Sequence, residues 1–405
     1  MAEKQPSAID LFAGAGGFSL AAHQSNCEIL AAVEIDNAAC LTYSKNFVEN
    51  GSQNTRVYNC DILDQLSPQT LRTDLNLKSG ELDILMGGPP CQGFSSHRIN
   101  SAGVDDPRNQ LLLRYFEYVQ ELRPKVFLVE NVTGMLWKRH EEYVEKFKIL
   151  AAKNDYNLIG PLVINACDYG VPQNRKRVFI LGIDSQFDIT NLQWPPTESH
   201  GKKGSQPYVT ASTVFETPPL NVLAQLKEAL AEEIIQASNK EPNCKILAND
   251  AIRKAKSIVE ELVFGGEFVE ETSCDTRMNT SEELSKKLSY VRVNGSRDQF
   301  PEHLVLDCHK NGYGGHKDVY GRIKLAQPSN TMTTGCHNLS KGRFTHPWLN
   351  HGITIRHAAR LQTFPDSFQF FGTPTHQAKQ VGNAVPIELG RVLIESVISE
   401  IINKK

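Results

Sequence analysis

Over the first 184 residues, short apolar runs alternate with longer stretches whose apolar positions recur at helical spacing. Ala8-Ile9-Asp10-Leu11-Phe12, Glu28 to Val33, Arg56 to Asn59, Leu82 to Met86, Val126 to Val129 and Arg177 to Gly182 read as strands. Helices are expected over Gln110 to Leu122 and Glu141 to Lys153, and Asp36 is placed to cap a helix running toward Asn46. Strand and helix in alternation predict an α/β fold built on a doubly wound, mostly parallel sheet. The pattern breaks near Gln193-Trp194-Pro195-Pro196 and turns irregular, with Pro, Gly and Ser clusters. Two amphipathic helices are expected inside that stretch. Val222, Leu223, Leu226, Leu230 and Ile234 share a face of the first, and Ile252, Ala255, Val259 and Leu262 a face of the second, which stops at Gly265-Gly266. Beyond about residue 350 the helical pattern returns, with Thr354 capping a helix through Gln362 and a last helix over Ile387 to Ile402. The expected organisation is a main domain over 1–184, completed by 346–405, and a smaller irregular domain over 185–345 with a helical insert at 216–283.

Charge sharpens that division. The chain has 405 residues and a net charge of −3, so any nucleic-acid surface must be local. From Glu216 to Glu283 there are 7 Lys/Arg against 14 Asp/Glu; from Lys286 to Thr345 there are 10 against 4. A phosphate backbone would favour the second segment and repel the first, whose acidic helices read as solvated faces. No apolar run approaches the roughly 20 residues of a membrane span. The N-terminal residues lack the apolar core of a signal peptide, so a cytoplasmic protein is expected. Nine scattered cysteines without a C-x-x-C argue against a disulfide framework or a zinc site. Cys308-His309, His316 and Cys336-His337 fit no common ligand spacing, and no metal is expected.

The first strand runs into Phe12-Ala13-Gly14-Ala15-Gly16-Gly17, where Gly14, Gly16 and Gly17 let a ligand approach the backbone. Acids stand at the next two strand ends: Glu34, placed for ribose hydroxyls, and Asp61, placed for an adenine amino group. Phe12 can pack on the base. These residues describe a nucleoside pocket and leave a nicotinamide enzyme open, although Ser19 stands where a dinucleotide fingerprint wants glycine. Another strand end carries Gly87-Gly88-Pro89-Pro90-Cys91-Gln92-Gly93-Phe94-Ser95. A thiol on a stiff turn at the ligand-binding edge of an α/β sheet is a candidate nucleophile.

Pro-Pro-Cys-Gln resembles the catalytic motif of the DNA (cytosine-5) methyltransferases, and the family's other motifs follow in order. Asp10 to Leu20 resembles its S-adenosylmethionine motif, with Glu34 at the ribose position and Asp61 at the adenine position. Gln380-Val381-Gly382-Asn383-Ala384-Val385-Pro386 is similar to the C-terminal motif that folds back beside the cofactor, with Asn383 as the contact. The resemblance also puts Ile35, Ile62, Pro90 and Leu111 in the cofactor pocket. It implies a Rossmann-like methyltransferase domain and S-adenosylhomocysteine as product.

In such an enzyme a thiolate, here Cys91, attacks cytosine C6 and makes C5 enamine-like, so that it can take a methyl group. Negative charge develops at N3, where Glu130 of Glu130-Asn131-Val132 would act. Arg177 of Arg175-Lys176-Arg177 would contact O2, while Arg175 holds the site or a phosphate. The base must leave the stack, because C6 is unreachable in a duplex. Ser95 to Arg108 resembles the loop that closes over DNA, and Gln92, Ser95, His97 and Arg98 are the contacts implied there. Arg322 to Gly335 resembles the motif framing the target-recognition domain. That makes Arg292, Arg297, Lys310, Lys317 and Arg322 candidate contacts to phosphate or base. Two positions depart from the family: His357 where glutamate is usual, and Ile387 where a second proline is common. The expected partner is duplex DNA, with a cognate restriction endonuclease acting separately on a monomeric methyltransferase and no membrane. Rival readings are a tRNA methyltransferase, whose motif typically reads Pro-Pro-Cys-Gln-Pro-Phe, and a non-catalytic cofactor-binding regulator.

Overall fold

Ile84 to Gly87 form the central strand of a seven-stranded sheet, with Ser7 to Leu11 beside it. The computed structural model describes residues 5–49, 54–90, 110–240, 246–266, 272, 274–275, 280–305 and 318–403. Cys91, Gln92, Ser95, His97, Arg98, Lys310 and Lys317 lie outside the described residues, as do Cys308, His309 and His316.

The chain runs β1 (Ser7–Leu11), α1 (Gly17–Gln24), β2 (Glu28–Glu34), α2 (Asn37–Tyr43), β3 (Arg56–Asn59), α3 (Pro68–Asp74), β4 (Ile84–Gly87), α4 (Gln110–Leu122), β5 (Val126–Val132), α5 (Glu141–Lys153), β6 (Tyr156–Asn165) and β7 (Lys176–Asp184). Asp36 caps α2 by accepting from the Ala38 and Ala39 amides. The strands stand in the order β3-β2-β1-β4-β5-β7-β6; the pairs from β3 to β5 are parallel, and β7 is antiparallel to both of its neighbours. β6 has no counterpart in the sequence reading, because Gly160-Pro161 interrupts its apolar run. It sits at the edge of the sheet, where its register shifts between Ile159 and Leu162.

Alternation along the strands buries both faces. Ile9, Leu11, Leu85, Phe127 and Val129 pack with α4 and α5 on one side; Ala8, Met86, Leu128 and Phe179 pack with α1 and the C-terminal helices on the other. Those helices are α9 (Ile355–Leu361), α10 (Pro374–Asn383) and α11 (Ile387–Val397), preceded in the chain by α6 (Leu220–Ser238), α7 (Ala248–Glu260) and α8 (Glu282–Leu288). α11 lies on α1 so closely that a Cβ on Gly390 would come within 2.8 Å of the Ala21 Cβ. No helix among the described residues is long and apolar enough to cross a membrane.

The middle of the chain differs from the sequence reading in three ways. α7 ends at Glu260, short of Gly265, and buries Ala251, Ala255 and Val259, while Ile252 stays exposed. The acidic α6 is more than a solvated face. Its Glu233 pairs with Lys324 at 3.0 Å and accepts from Asn294, so it neutralises part of the basic segment. The third difference is a correction. Arg322, expected on DNA, is buried with its guanidinium on the carbonyls of Val291, His346, Leu349 and Leu288 and on Asn350 Oδ1. Acceptors converge from two chain segments, so this arginine closes the fold and leaves no donor for phosphate.

His357 explains its own departure from the family. Thr354 caps α9 and accepts from the His357 amide, while His357 Nδ1 accepts from the Thr354 amide, the part a glutamate plays in a capping box. Its other nitrogen faces Glu216 Oε2 at 3.9 Å, and His346 Nε2 faces Glu216 Oε1 at 3.7 Å. The trio ties the start of the middle region to the C-terminal helices. Burial, more than any neighbour, pushes the His346 pKa down to about 4, and His346 and His357 together hold Glu216 below the usual carboxylate range.

Two outcomes follow. Arg322→Ala should lose about 3 kcal/mol or more of stability in denaturant melts, because several buried carbonyls lose their donor at once. His346 binds its proton in the unfolded chain below about pH 6.5 but in the native state only below about pH 4. Stability is therefore full above pH 6.5 and falls on acidification through that window, by up to about 3 kcal/mol. Melts from pH 7.5 to 4 should show a shallower acid loss in His346→Gln.

Candidate active site at the carboxyl edge of the sheet

Five parallel strands end on one edge, and the chemistry expected from the sequence collects there. β1 turns at Phe12, whose φ of 61° is left-handed, and enters the glycine segment. Gly14 also has positive φ, and a Cβ there would meet nothing within 4 Å, so this is the open side of the turn. Gly16 and Gly17 instead serve packing. A Cβ on Gly16 would fall 2.4 Å from the Phe47 ring, and one on Gly17 2.8 Å from the Val385 carbonyl. The close approach at Gly17 seats the C-terminal motif against the first turn. Ser19 donates from both its amide and its hydroxyl to the buried Asp10, whose pKa burial lifts to about 7. A third glycine at position 19 would lose that hydroxyl tie between β1 and α1. Asp10 opens the segment that resembles the cofactor motif, but nothing in the sequence marks it as the partner of Ser19.

Glu34 ends β2. Its Oε2 accepts from the Gly14 amide at 2.9 Å, and its Oε1 from the amides of Ile35 and Asp36. A carboxylate has about four acceptor directions, so one of these remains beside the glycine turn. Ile35 is 61% exposed, unusual for an isoleucine next to a core strand. Asp61 follows β3, with Oδ1 on the Leu63 amide, and Ile62 beside it is buried. Pro90 and Asn383 are exposed and Leu111 is buried. An open glycine, a carboxylate with a spare acceptor direction and an exposed apolar side chain fit a nucleoside with a ribose diol.

β5 outruns β4. The β4 ladder stops at Gly87 opposite Val129, while β5 continues against β7 to Val132 opposite Arg177. Glu130 stands opposite Phe179, so Glu130 and Arg177 are diagonal neighbours on one face. Glu130 Oε1 lies 3.0 Å from Arg177 Nε, but the alignment makes no hydrogen bond, and this buried oxygen has no other partner. Burial raises the Glu130 pKa, with Arg177 and Arg175 pulling against it. Arg177 donates one Nη hydrogen to the Lys176 carbonyl. The turn that leads to Cys91 rests on this acid: Asn131 Nδ2 donates to the Pro89 carbonyl at 3.2 Å, and a Cβ on Gly88 would sit 3.3 Å from Glu130 Oε2.

Arg175 precedes β7 rather than lying in it. It has no exposed surface, and its guanidinium donates to the carbonyls of Met332, Gly382 and Ala384. No phosphate reaches it there. Of its two expected roles, burial fits only the holding of the site. Arg292 has a side chain 74% exposed, and Arg297 is half-buried.

Glu216, His346 and His357 offer atoms within 4.8 Å of one another and are the one metal-like group among the described residues. His346 Nδ1 accepts from the Trp348 and Leu349 amides, and His357 Nδ1 from the Thr354 amide. A neutral imidazole accepting at Nδ1 carries its proton at Nε2, so both rings face Glu216 as donors rather than as metal ligands.

A family model described as C-5 cytosine-specific DNA methylase matches residues 7–399. The Type II methyltransferase M.AgeI of Thalassovita gelatinovora is 29% identical, with 96% of this chain and 98% of that protein covered. The Type II methyltransferase M1.HphI of Haemophilus parahaemolyticus is 31% identical, with 96% and 86% covered. A prophage-encoded protein of E. coli, described as a DNA modification methyltransferase, has a crystal structure that superposes with a TM-score of 0.66 at 23% identity over 99% of this chain and all of that one, a likeness of fold. The chain belongs to the C-5 cytosine-specific DNA methylases and is a DNA (cytosine-5-)-methyltransferase, transferring a methyl group from S-adenosylmethionine to C5 of cytosine in DNA.

Proposed function

We propose that Cys91 is the nucleophile that adds to C6 of an extruded cytosine, with Glu130 acting at N3 and Arg177 at O2. The docking of the Gly88-Pro89 turn on Glu130 and Asn131 carries this reading, because it brings the residues just before the thiol onto the acid. Attack at C6 drives negative charge toward N3. A carboxyl group lifted by burial can share its proton there, and Oε1, lacking a hydrogen bond, can accept one from the base. A guanidinium has five donors, and Arg177 directs one to Lys176, which leaves others for O2.

S-adenosylmethionine supplies an electrophilic methyl on sulfur when bound and leaves as S-adenosylhomocysteine; loss of the C5 proton to a base then expels the Cys91 thiolate from C6 and restores the aromatic ring. Glu34 would take a ribose hydroxyl on its remaining acceptor direction, Ile35 and Phe12 would flank the adenine, and Asp61 with Ile62 would meet its edge. Gly14, Pro90, Leu111 and Asn383 would line the rest, while Gly16 and Gly17 keep the first turn against the C-terminal segment.

Residues 185–345 would read the DNA, with Arg292 and Arg297 among the cations that meet it, and 1–184 with 346–405 would carry the chemistry. The Type II names of the relatives support a separate cognate restriction endonuclease. The protein would act as a monomer on the nucleoid, in the cytoplasm.

Methyl transfer from radiolabelled S-adenosylmethionine, offered duplex DNA and tRNA in parallel, followed by conversion sequencing, tests the reading. Label at one short DNA motif is expected, and label on tRNA alone would overturn it. Cys91→Ser should abolish the covalent adduct and the transfer; full activity would remove the covalent mechanism. Glu130→Ala should lower kcat by about 10²–10⁴, and Glu130→Gln, which can still donate to N3, by less. Arg175 and Arg177 should separate. Arg175→Ala should lose about 3 kcal/mol or more of stability, whereas Arg177→Ala should fold, because Glu130 left behind can take a proton, yet lose turnover.

A further inference from the structure

Beyond Glu130 the chain makes two single-turn 3-10 helices, Thr133–Leu136 and Lys138–His140, before α5 begins. The first packs against β7, the strand that carries Arg177. Between and within them Leu136, Trp137, Lys138 and Arg139 are exposed, Trp137 by 38%. This is an apolar and cationic surface on the edge of the sheet that takes the cytosine.

Its geometry is prearranged. The Arg139 guanidinium stacks on the Trp137 ring at 4.7 Å. Arg139 Nε donates to Nε2 of the buried His140 at 2.9 Å. That bond needs a neutral imidazole. Burial first, and the Arg139 charge second, push the His140 pKa down to about 4. Two contacts thus fix the guanidinium plane. Among the described residues neither Arg139 nor Lys138 has an acid within ion-pair distance, and the nearby Glu142 is paired with Lys146. A structural arginine would point its fork at carboxylates or carbonyls, as Arg175 and Arg322 do. This one turns its fork outward.

We infer that Trp137 and Arg139 form a contact surface for duplex DNA beside the target cytosine, with the Arg139 fork on a backbone phosphate, the Trp137 ring against the adjoining nucleotide, and His140 as the positioning residue. A planar fork matches phosphate oxygens two at a time. An aromatic face accepts sugar or base without regard to sequence. The surface would hold register and carry no sequence information. The inference rests on entry of the cytosine beside Glu130.

The test is equilibrium binding of the full-length protein to a labelled 30-base-pair duplex across a salt series, with calorimetry of S-adenosylhomocysteine as the control for folding. Arg139→Ala is expected to lower the slope of log K against log salt by about one and to weaken binding roughly three- to tenfold. Arg139→Lys should keep the slope and still weaken binding, because the charge stays and the fork goes. Trp137→Ala should weaken binding at unchanged slope. His140→Leu should behave like Arg139→Lys, keeping the slope while weakening binding because the fork is no longer held, whereas His140→Gln, which can still accept from Nε, should retain binding. S-adenosylhomocysteine affinity should hold throughout. An unchanged slope in Arg139→Ala that still binds S-adenosylhomocysteine overturns the inference while leaving the roles of Cys91 and Glu130 standing. Parent protein that methylates DNA but shows no salt-dependent duplex binding overturns it as well. If no duplex is methylated at all, the reading of the site itself fails.

Discussion

One buried cation joins everything the site needs. Arg175 has no exposed surface, and its fork holds the carbonyls of Met332, Gly382 and Ala384. Those acceptors lie in two segments remote in sequence, one around Met332 and one around Gly382 to Ala384, which packs beside Gly17. Burying a charge is expensive unless its donors are met, so the arrangement is stable only with both segments in place. Neighbouring amides enforce the same closure. Gln173 Nε2 donates to Leu361 O and Gln362 Oε1, its Oε1 accepts from Met332 N, and Gln362 donates to Val381 and Ala384. Removing the guanidinium would leave the Met332 and Gly382 carbonyls without this donor and Ala384 with Gln362 alone, and so loosen the C-terminal segment against the sheet edge it completes.

That closure fixes where the acid stands. Glu130 can be buried against Arg177 because β5 extends past β4 and pairs there with an antiparallel strand, and the diagonal of that ladder brings the two side chains together. The antiparallel β7 therefore positions the acid and its guanidinium, and Asn131 adds the turn leading to the thiol.

Legibility in the sequence followed periodicity and motif. The strands that end at Leu11, Glu34 and Gly87 are plain because each is a short, largely apolar run followed by turn residues or an acid. β6 is not, since Gly160-Pro161 breaks its run and edge strands tolerate such breaks. Motifs pointed to Glu130, Arg177 and Arg175 but could not choose between holding the site and holding a phosphate for Arg175, or tell a surface arginine from Arg322, because a guanidinium on carbonyls and one on phosphate have the same one-letter code. Only burial separates them. The contribution of Asp10 was equally hidden, because its partner Ser19 reads merely as a missing glycine.

His357 shows how a family position can change its residue and keep its task. A glutamate there would accept from the cap amide with one carboxylate oxygen. Histidine accepts with Nδ1 and gains a second nitrogen on the far side of the ring. That nitrogen, with His346, faces Glu216, at the start of the acidic segment. Two carboxylates so close, a glutamate at 357 and Glu216, would repel, and one would have to take a proton. The substitution removes that conflict and leaves one carboxylate between two neutral donors. Glu233 on α6 does the same further along by pairing with Lys324. The acids of the middle region thus turn partly inward, toward histidines and lysines of the segment behind them, while Arg292, though paired with Glu232 at 3.7 Å, keeps a side chain 74% exposed. A chain close to neutral overall can in this way present a locally cationic face to a phosphate backbone.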